Sequence, residues 1–134
     1  MEGEFIINRI TFITLGVKDL EKSRDFYINL GFKWEDDGKL GIVTFETEGT
    51  HFALFPAEEL AKDVNMNHPP SVTDEFTRVA LAYNASSKEE VDALYLKVKS
   101  LGIVPEYEPQ YATTWNGYHF YFRDFDGHCW EVAY

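Results

Sequence analysis

At 134 residues the chain is one domain in length, long enough for a core that takes roughly two-thirds of the unfolded surface out of water. Hydrophobic residues at 45% and aromatics at 16% exclude a disordered chain, and no run approaches the ~18 apolar residues of a membrane span. The 12 Lys and Arg stand against 23 Asp and Glu, and the resulting charge of −11 repels phosphate backbones and anionic lipid, so neither nucleic acid nor membrane is an expected partner.

The start, Met1-Glu2-Gly3-Glu4, is acidic and lacks the basic and apolar regions of a signal peptide. Cys129 is the single cysteine, so no disulfide forms within the chain. Both features predict a cytoplasmic protein.

The first strand is predicted over Ile10 to Val17, where β-branched and aromatic residues run together. Asp19 is placed as an N-cap, and Phe26, Tyr27 and Leu30 at helical spacing predict a helix over Leu20 to Leu30, stopped by Gly31. Strands are predicted over Phe32 to Glu35, Gly41 to Glu46 and His51 to Phe55, with turns at Asp36-Asp37-Gly38 and Glu48-Gly49. Ala57 to Val64 is compatible with a short helix, and the polar stretch Asn65 to Thr73, with Pro69-Pro70, reads as a linker.

The same order then returns. A strand over Arg78 to Tyr83 precedes a capping box of Ser87 and Glu90. Val91, Leu94, Tyr95, Val98 and Leu101 predict an amphipathic helix that Gly102 ends. Three strands follow, over Ile103 to Tyr107, Tyr118 to Arg123 and His128 to Tyr134, with the last turn at Asp124-Phe125-Asp126-Gly127. The pattern predicts an α+β fold of two βαβββ modules. Residues 1–134 form a single domain: module one over 5–56, a linker over 57–76 and module two over 77–134. Pairing of the halves, either within one chain or between modules of two chains, is expected to bury one face of each sheet and enclose a cavity.

Three segments resemble the vicinal oxygen chelate superfamily, which holds glyoxalases, bleomycin resistance proteins and extradiol dioxygenases. They are Val17-Lys18-Asp19-Leu20-Glu21-Lys22-Ser23-Arg24-Asp25-Phe26-Tyr27 with Leu30-Gly31-Phe32, then Leu101-Gly102-Ile103, then Asp124-Phe125-Asp126-Gly127-His128-Cys129-Trp130-Glu131-Val132. Phe125 stands where that family's turn has proline. The resemblance implies a metal site with two ligands from each module. Its final-strand glutamate falls on Glu131. Its other positions fall on Arg78, Phe12 and Ala53, where two side chains have no donor atom and the third is a fixed cation. The resemblance therefore points to a member that has lost its metal site and needs no cofactor.

Alternation puts His119, Tyr121 and Arg123 on one face of their strand, and Cys129, Glu131 and Ala133 on one face of the last. The resemblance, in which extradiol dioxygenases carry a pocket tyrosine at the position of Tyr121, implies that His119 and Tyr121 share the cavity with Glu131. Trp115 is expected as an aromatic wall, and Phe12 either makes the pocket apolar or packs in the core. Arg78 is expected either to balance Glu131 or to bind a ligand carboxylate or phosphate. His51, with His119 and Glu131, is the one alternative metal constellation. Trp130, Val132 and Tyr134 share the opposite face, suited to a dimer interface or to contact with the helices.

The expected function is glyoxalase-like or bleomycin-resistance-like binding of a small organic molecule in the cavity, in a homodimer. The alternatives are a lyase, isomerase or dioxygenase using Glu131 as catalytic general base or metal ligand, and an interaction module without a ligand.

Overall fold

The computed structural model describes residues 7–64 and 76–134. The start at Met1 to Glu4 and the linker at Asn65 to Thr73 lie outside the described residues.

Module one runs β1 (Phe12–Val17), α1 (Leu20–Leu30), β2 (Trp34–Asp37), β3 (Val43–Phe45) and β4 (His51–Pro56), followed by the short α2 (Ala57–Asp63). Asp19 caps α1, its Oδ1 accepting from the Lys22 N–H at 3.0 Å. Gly31 ends the helix at φ 134°, where a side chain would be strained. Module two runs β5 (Ala80–Asn84), α3 (Lys88–Ser100), β6 (Gln110–Tyr111), β7 (Tyr118–Arg123) and β8 (Cys129–Ala133). Each module forms a four-stranded sheet with its first and last strands parallel, in the orders β1-β4-β3-β2 and β5-β8-β7-β6. The fold is α+β, as the repeat predicts.

Alternation sorts each sheet into two faces. Leu15, Val17, Phe52 and Leu54 point inward from the first sheet, and Phe120, Phe122, Trp130 and Val132 point inward from the second; all are buried. The inner faces meet. The Phe52 and Trp130 rings lie 5.7 Å apart, Phe26 reaches Phe122 at 6.3 Å, and the Tyr27 ring touches Phe45, Phe52 and Trp130. Helix α1 packs on β4, α3 packs on β7 and β8, and the two helices touch. Trp130 and Val132 thus pack in the core, which removes them from any dimer interface. It also turns the two outer faces away from each other, so within one chain the modules bury a core where a cavity between them was expected.

A polar seam joins the modules. The Asp126 carboxylate accepts from the Lys18 N–H at 2.8 Å and from the Ser23 hydroxyl at 3.4 Å. His128 Nε2 lies 2.9 Å from the Gly16 carbonyl oxygen, so that nitrogen is the donor. Beneath it, the Tyr27 hydroxyl donates to Asp124 Oδ2 at 2.6 Å and accepts from the Trp130 indole at 3.0 Å.

Two strand boundaries differ from expectation. The strand predicted over Ile103 to Tyr107 is not one: Pro105 has no N–H to offer a ladder, and the hydrogen bond linking this stretch to β7 runs from the Glu106 N–H to the Tyr121 carbonyl. Gln110–Tyr111 takes the edge position. Arg78 precedes β5 and sits at φ 66°, left-handed and outside the strand predicted to carry it.

Candidate functional site

On the outer face of the second sheet the ladder sets a row of side chains. Tyr121 on β7 pairs with Glu131 on β8, which pairs with Ala82 on β5; His119 pairs with Ala133, which pairs with Asn84. An open hollow of about 570 Å³ lies over this row, walled by Asn84, Ala85, Trp115, Tyr121, Glu131, Ala133 and Tyr134.

Behind the Glu131 wall, buried His119 holds its Nδ1 2.8 Å from Glu131 Oε2. An ionised carboxylate only accepts, so Nδ1 carries the proton. The His119 ring is buried among Trp115 at 5.2 Å, Tyr121 at 5.7 Å and Tyr107 at 5.8 Å, all edge-on. Burial first, and then the Glu131 charge, push the Tyr121 phenol above its ordinary value. Burial, then Tyr121 and Glu131, do the same at Tyr107. Both phenols therefore stay protonated near neutral pH.

Trp115 reaches His119 because residue 117 is glycine. A Cβ on Gly117 would overlap the Trp115 ring. Gly117→Ala is expected to push the indole off His119 and to red-shift its fluorescence, with stability changed by about 1 kcal/mol or less because the loop is exposed. The same substitution in a Trp115→Phe background should leave the remaining tryptophan emission unmoved; a shift there would trace the change to another tryptophan.

The structure thus brings together Glu131, His119, Tyr121 and Trp115. It does not bring Phe12, Ala53 or His51 to them within one chain. These belong to the outer face of the first sheet, where Phe12 stacks on His51 at 4.8 Å and Ala53 is fully buried between Thr14 and Thr44. Arg78 does not reach Glu131 either. The β5 residue beside Glu131 is Ala82, Arg78 lies two residues before that strand begins, and the ion-pair partner of Glu131 is His119. Four wall residues lay outside the predicted site: Asn84, Ala85, Ala133 and Tyr134. Asn84 shares its parity with Ala82, and Ala133 with Glu131, so both were legible. Tyr134, expected on the opposite face with Trp130 and Val132, follows the end of β8 and borders the hollow instead.

Within one chain the donor set does not fit a resident divalent ion. Phe12 and Ala53 have no donor, Glu131 already bonds His119, and among the described residues no group of three or more His, Cys, Asp or Glu side chains is placed to hold a metal.

The family model described as the Glyoxalase/Bleomycin resistance protein/Dioxygenase superfamily matches residues 7–132. The chain belongs to this superfamily. Among solved structures, the glyoxalase superfamily chain is similar to a hypothetical protein from S. aureus at 28% identity and a TM-score of 0.80, covering 96% of this chain and 94% of that one. A glyoxalase-related enzyme from Fulvimarina pelagi is 28% identical with a TM-score of 0.81, covering 95% of this chain and 88% of that one. A lactoylglutathione lyase from Agrobacterium tumefaciens, 21% identical with a TM-score of 0.68 over 95% and 93% of the two chains, shares the fold. No curated protein matches the chain significantly. No described helix is long and apolar enough to cross a membrane.

Proposed function

We propose that this superfamily member binds a small organic molecule, without a metal, in the hollow over Glu131, and that module one of a second copy covers that hollow in a homodimer. One observation carries the reading: a hydrogen-bonded carboxylate sits at the floor of an aromatic-walled concavity, with Glu131 and Tyr121 on adjacent strands. Apolar walls supply affinity and a few fixed polar groups supply orientation, which is the composition of a ligand site. The single cysteine supports a reducing, cytoplasmic setting.

The homodimer is supported by what each outer face leaves uncovered. Phe12 on β1 is 55% exposed, and Trp115 is 45% exposed. Strands β1 and β5 each end a sheet with one side unpaired. In a two-fold pair, module one of each copy faces module two of the other, giving two equivalent sites.

A thermal-shift screen of organic ligands, glycopeptide antibiotics included, tests the binding reading. A ligand that raises the melting temperature should lose roughly tenfold or more in affinity on Glu131→Gln, because a hydrogen bond to a charged group contributes about 1.5–3 kcal/mol. Binding untouched by that change would remove Glu131 from the site.

The His119–Glu131 pair supports a second reading, a lyase, isomerase or dioxygenase with Glu131 as general base. His119 orients the carboxylate and shares the charge that proton abstraction redistributes. Turnover of methylglyoxal hemithioacetal that disappears on Glu131→Gln would favour it over simple binding.

A further inference from the structure

We infer that the hollow on module two recognises an alkylated ammonium group, held against the Trp115 and Tyr121 rings and facing the Glu131 carboxylate. The inference rests on the binding reading above and names the chemical class of the guest.

The walls of the hollow decide the sign of the charge. Glu131 is the one side-chain carboxylate among the described residues of this wall, and no described lysine or arginine lines the space. On the same face Arg123 is engaged by Glu106 at 2.8 Å. His119 meets Glu131 through a donated hydrogen bond, and in its neutral form it leaves the carboxylate's negative charge in place. A guest that covers this carboxylate strips water from it. A neutral apolar guest returns nothing for that loss, and an anionic one adds repulsion; a cation returns the Coulomb term. The whole chain, at −11, attracts the same sign over a distance.

The aromatic groups decide the kind of cation. A primary ammonium brings three N–H donors and asks for three acceptors. The walls offer Glu131, already committed in part to His119, the Asn84 amide oxygen, and the phenol oxygens of Tyr121 and Tyr134, which are weaker acceptors than a carboxylate. A tertiary or quaternary ammonium asks for few or no acceptors and gains from ring faces, of which tryptophan presents the strongest. Trp115 stands partly exposed beside the hollow, with Tyr121 on the floor row and Tyr107 tilted against it at 6.3 Å. Polar contact with water through one rim and aromatic contact below suits a small cationic head on a larger molecule.

The test pairs choline with 3,3-dimethylbutan-1-ol, which has the same shape and no charge. Titration of the full-length protein, followed by NMR shifts and tryptophan fluorescence, is expected to show choline binding about tenfold or more tightly, and weakening as salt is raised. Glu131→Gln and Trp115→Ala should each abolish most of that preference, whereas Trp115→Phe, which keeps a ring, should retain part of it. Equal affinity for the two compounds would overturn the ammonium assignment while leaving the binding site intact. Binding of other organic ligands in the screen, with choline inert, would do the same. Failure of every compound to bind would remove both the site and its guest.

Discussion

Asp124→Ala is expected to destabilise the protein by about 3–5 kcal/mol, the largest effect of any single polar substitution in this fold. Three donors converge on that carboxylate. Asp124 Oδ1 accepts from the N–H groups of Asp126 and His128, both at 2.9 Å, and Oδ2 accepts from the Tyr27 hydroxyl at 2.6 Å. Each buried donor left without an acceptor costs about 1–3 kcal/mol, with some relief where water enters. The damage also spreads, because the same turn presents Asp126 to the start of α1 and His128 to Gly16. Urea unfolding followed by circular dichroism measures the loss; a change below about 1 kcal/mol would show that the seam does not hold the modules together.

Asp124→Asn separates geometry from charge. The amide keeps an oxygen for the two backbone donors, so its cost should be about 1–2 kcal/mol. Burial, acting against the neighbouring His128 and the hydrogen bonds, raises the Asp124 pKa above its ordinary 3.8. A carboxyl whose pKa is raised on folding adds stability that is fully present below the unfolded value and lost as pH rises through the folded value. The advantage of the native protein over the Asn variant should therefore be greatest below about pH 4 and shrink with rising pH. A constant gap would contradict a raised Asp124 pKa.

How far the sequence carries can be read from these same residues. Helix α3 was legible in full. Its apolar residues repeat at helical spacing, and Ser87 Oγ accepts from the Glu90 N–H at 3.1 Å. The reciprocal half of the capping box is altered: Glu90 accepts from Ser86 N–H and from the Tyr83 hydroxyl. The row beneath the hollow was legible in part: parity puts His119 and Tyr121 on one face of their strand, the superfamily resemblance joined that face to Glu131, and the register Tyr121 to Glu131 shows them side by side. What parity cannot supply is which faces meet. Phe52 and Trp130 read equally well as two separate inner faces or as one shared core, and only the 5.7 Å contact between them decides. Once they meet, Phe12 and Glu131 must look outward on different sheets. Residue assignments drawn from the superfamily resemblance collect both on one cavity without stating how many chains build it. The edge strand was misplaced for a local reason: hydrophobic Ile103 and Val104 look like a strand, but Ile103 is buried beneath the helix end and Pro105 interrupts the ladder.

If the proposed homodimer forms, Phe12→Glu is expected to convert it to monomers and to abolish ligand binding together. Phe12 lies on edge strand β1 with its ring on His51, and Ile10, at the same parity, is 64% exposed. An aromatic anchor at the centre of an interface contributes about 2–4 kcal/mol, and a two-fold interface uses it twice. The dimer dissociation constant should rise about a thousandfold or more. Each copy carries −11, so association should also tighten as salt screens the repulsion. Phe12→Ala removes the ring without adding charge and should give a smaller shift in the same direction. The core beneath is built from the opposite face, Leu15, Val17, Phe52 and Leu54, so the melting of each variant monomer should stay cooperative. Light scattering across micromolar concentrations reads the association, and the choline titration reads the site. A native protein that is monomeric at those concentrations, yet binds ligand, would show that the hollow on module two works without a covering partner.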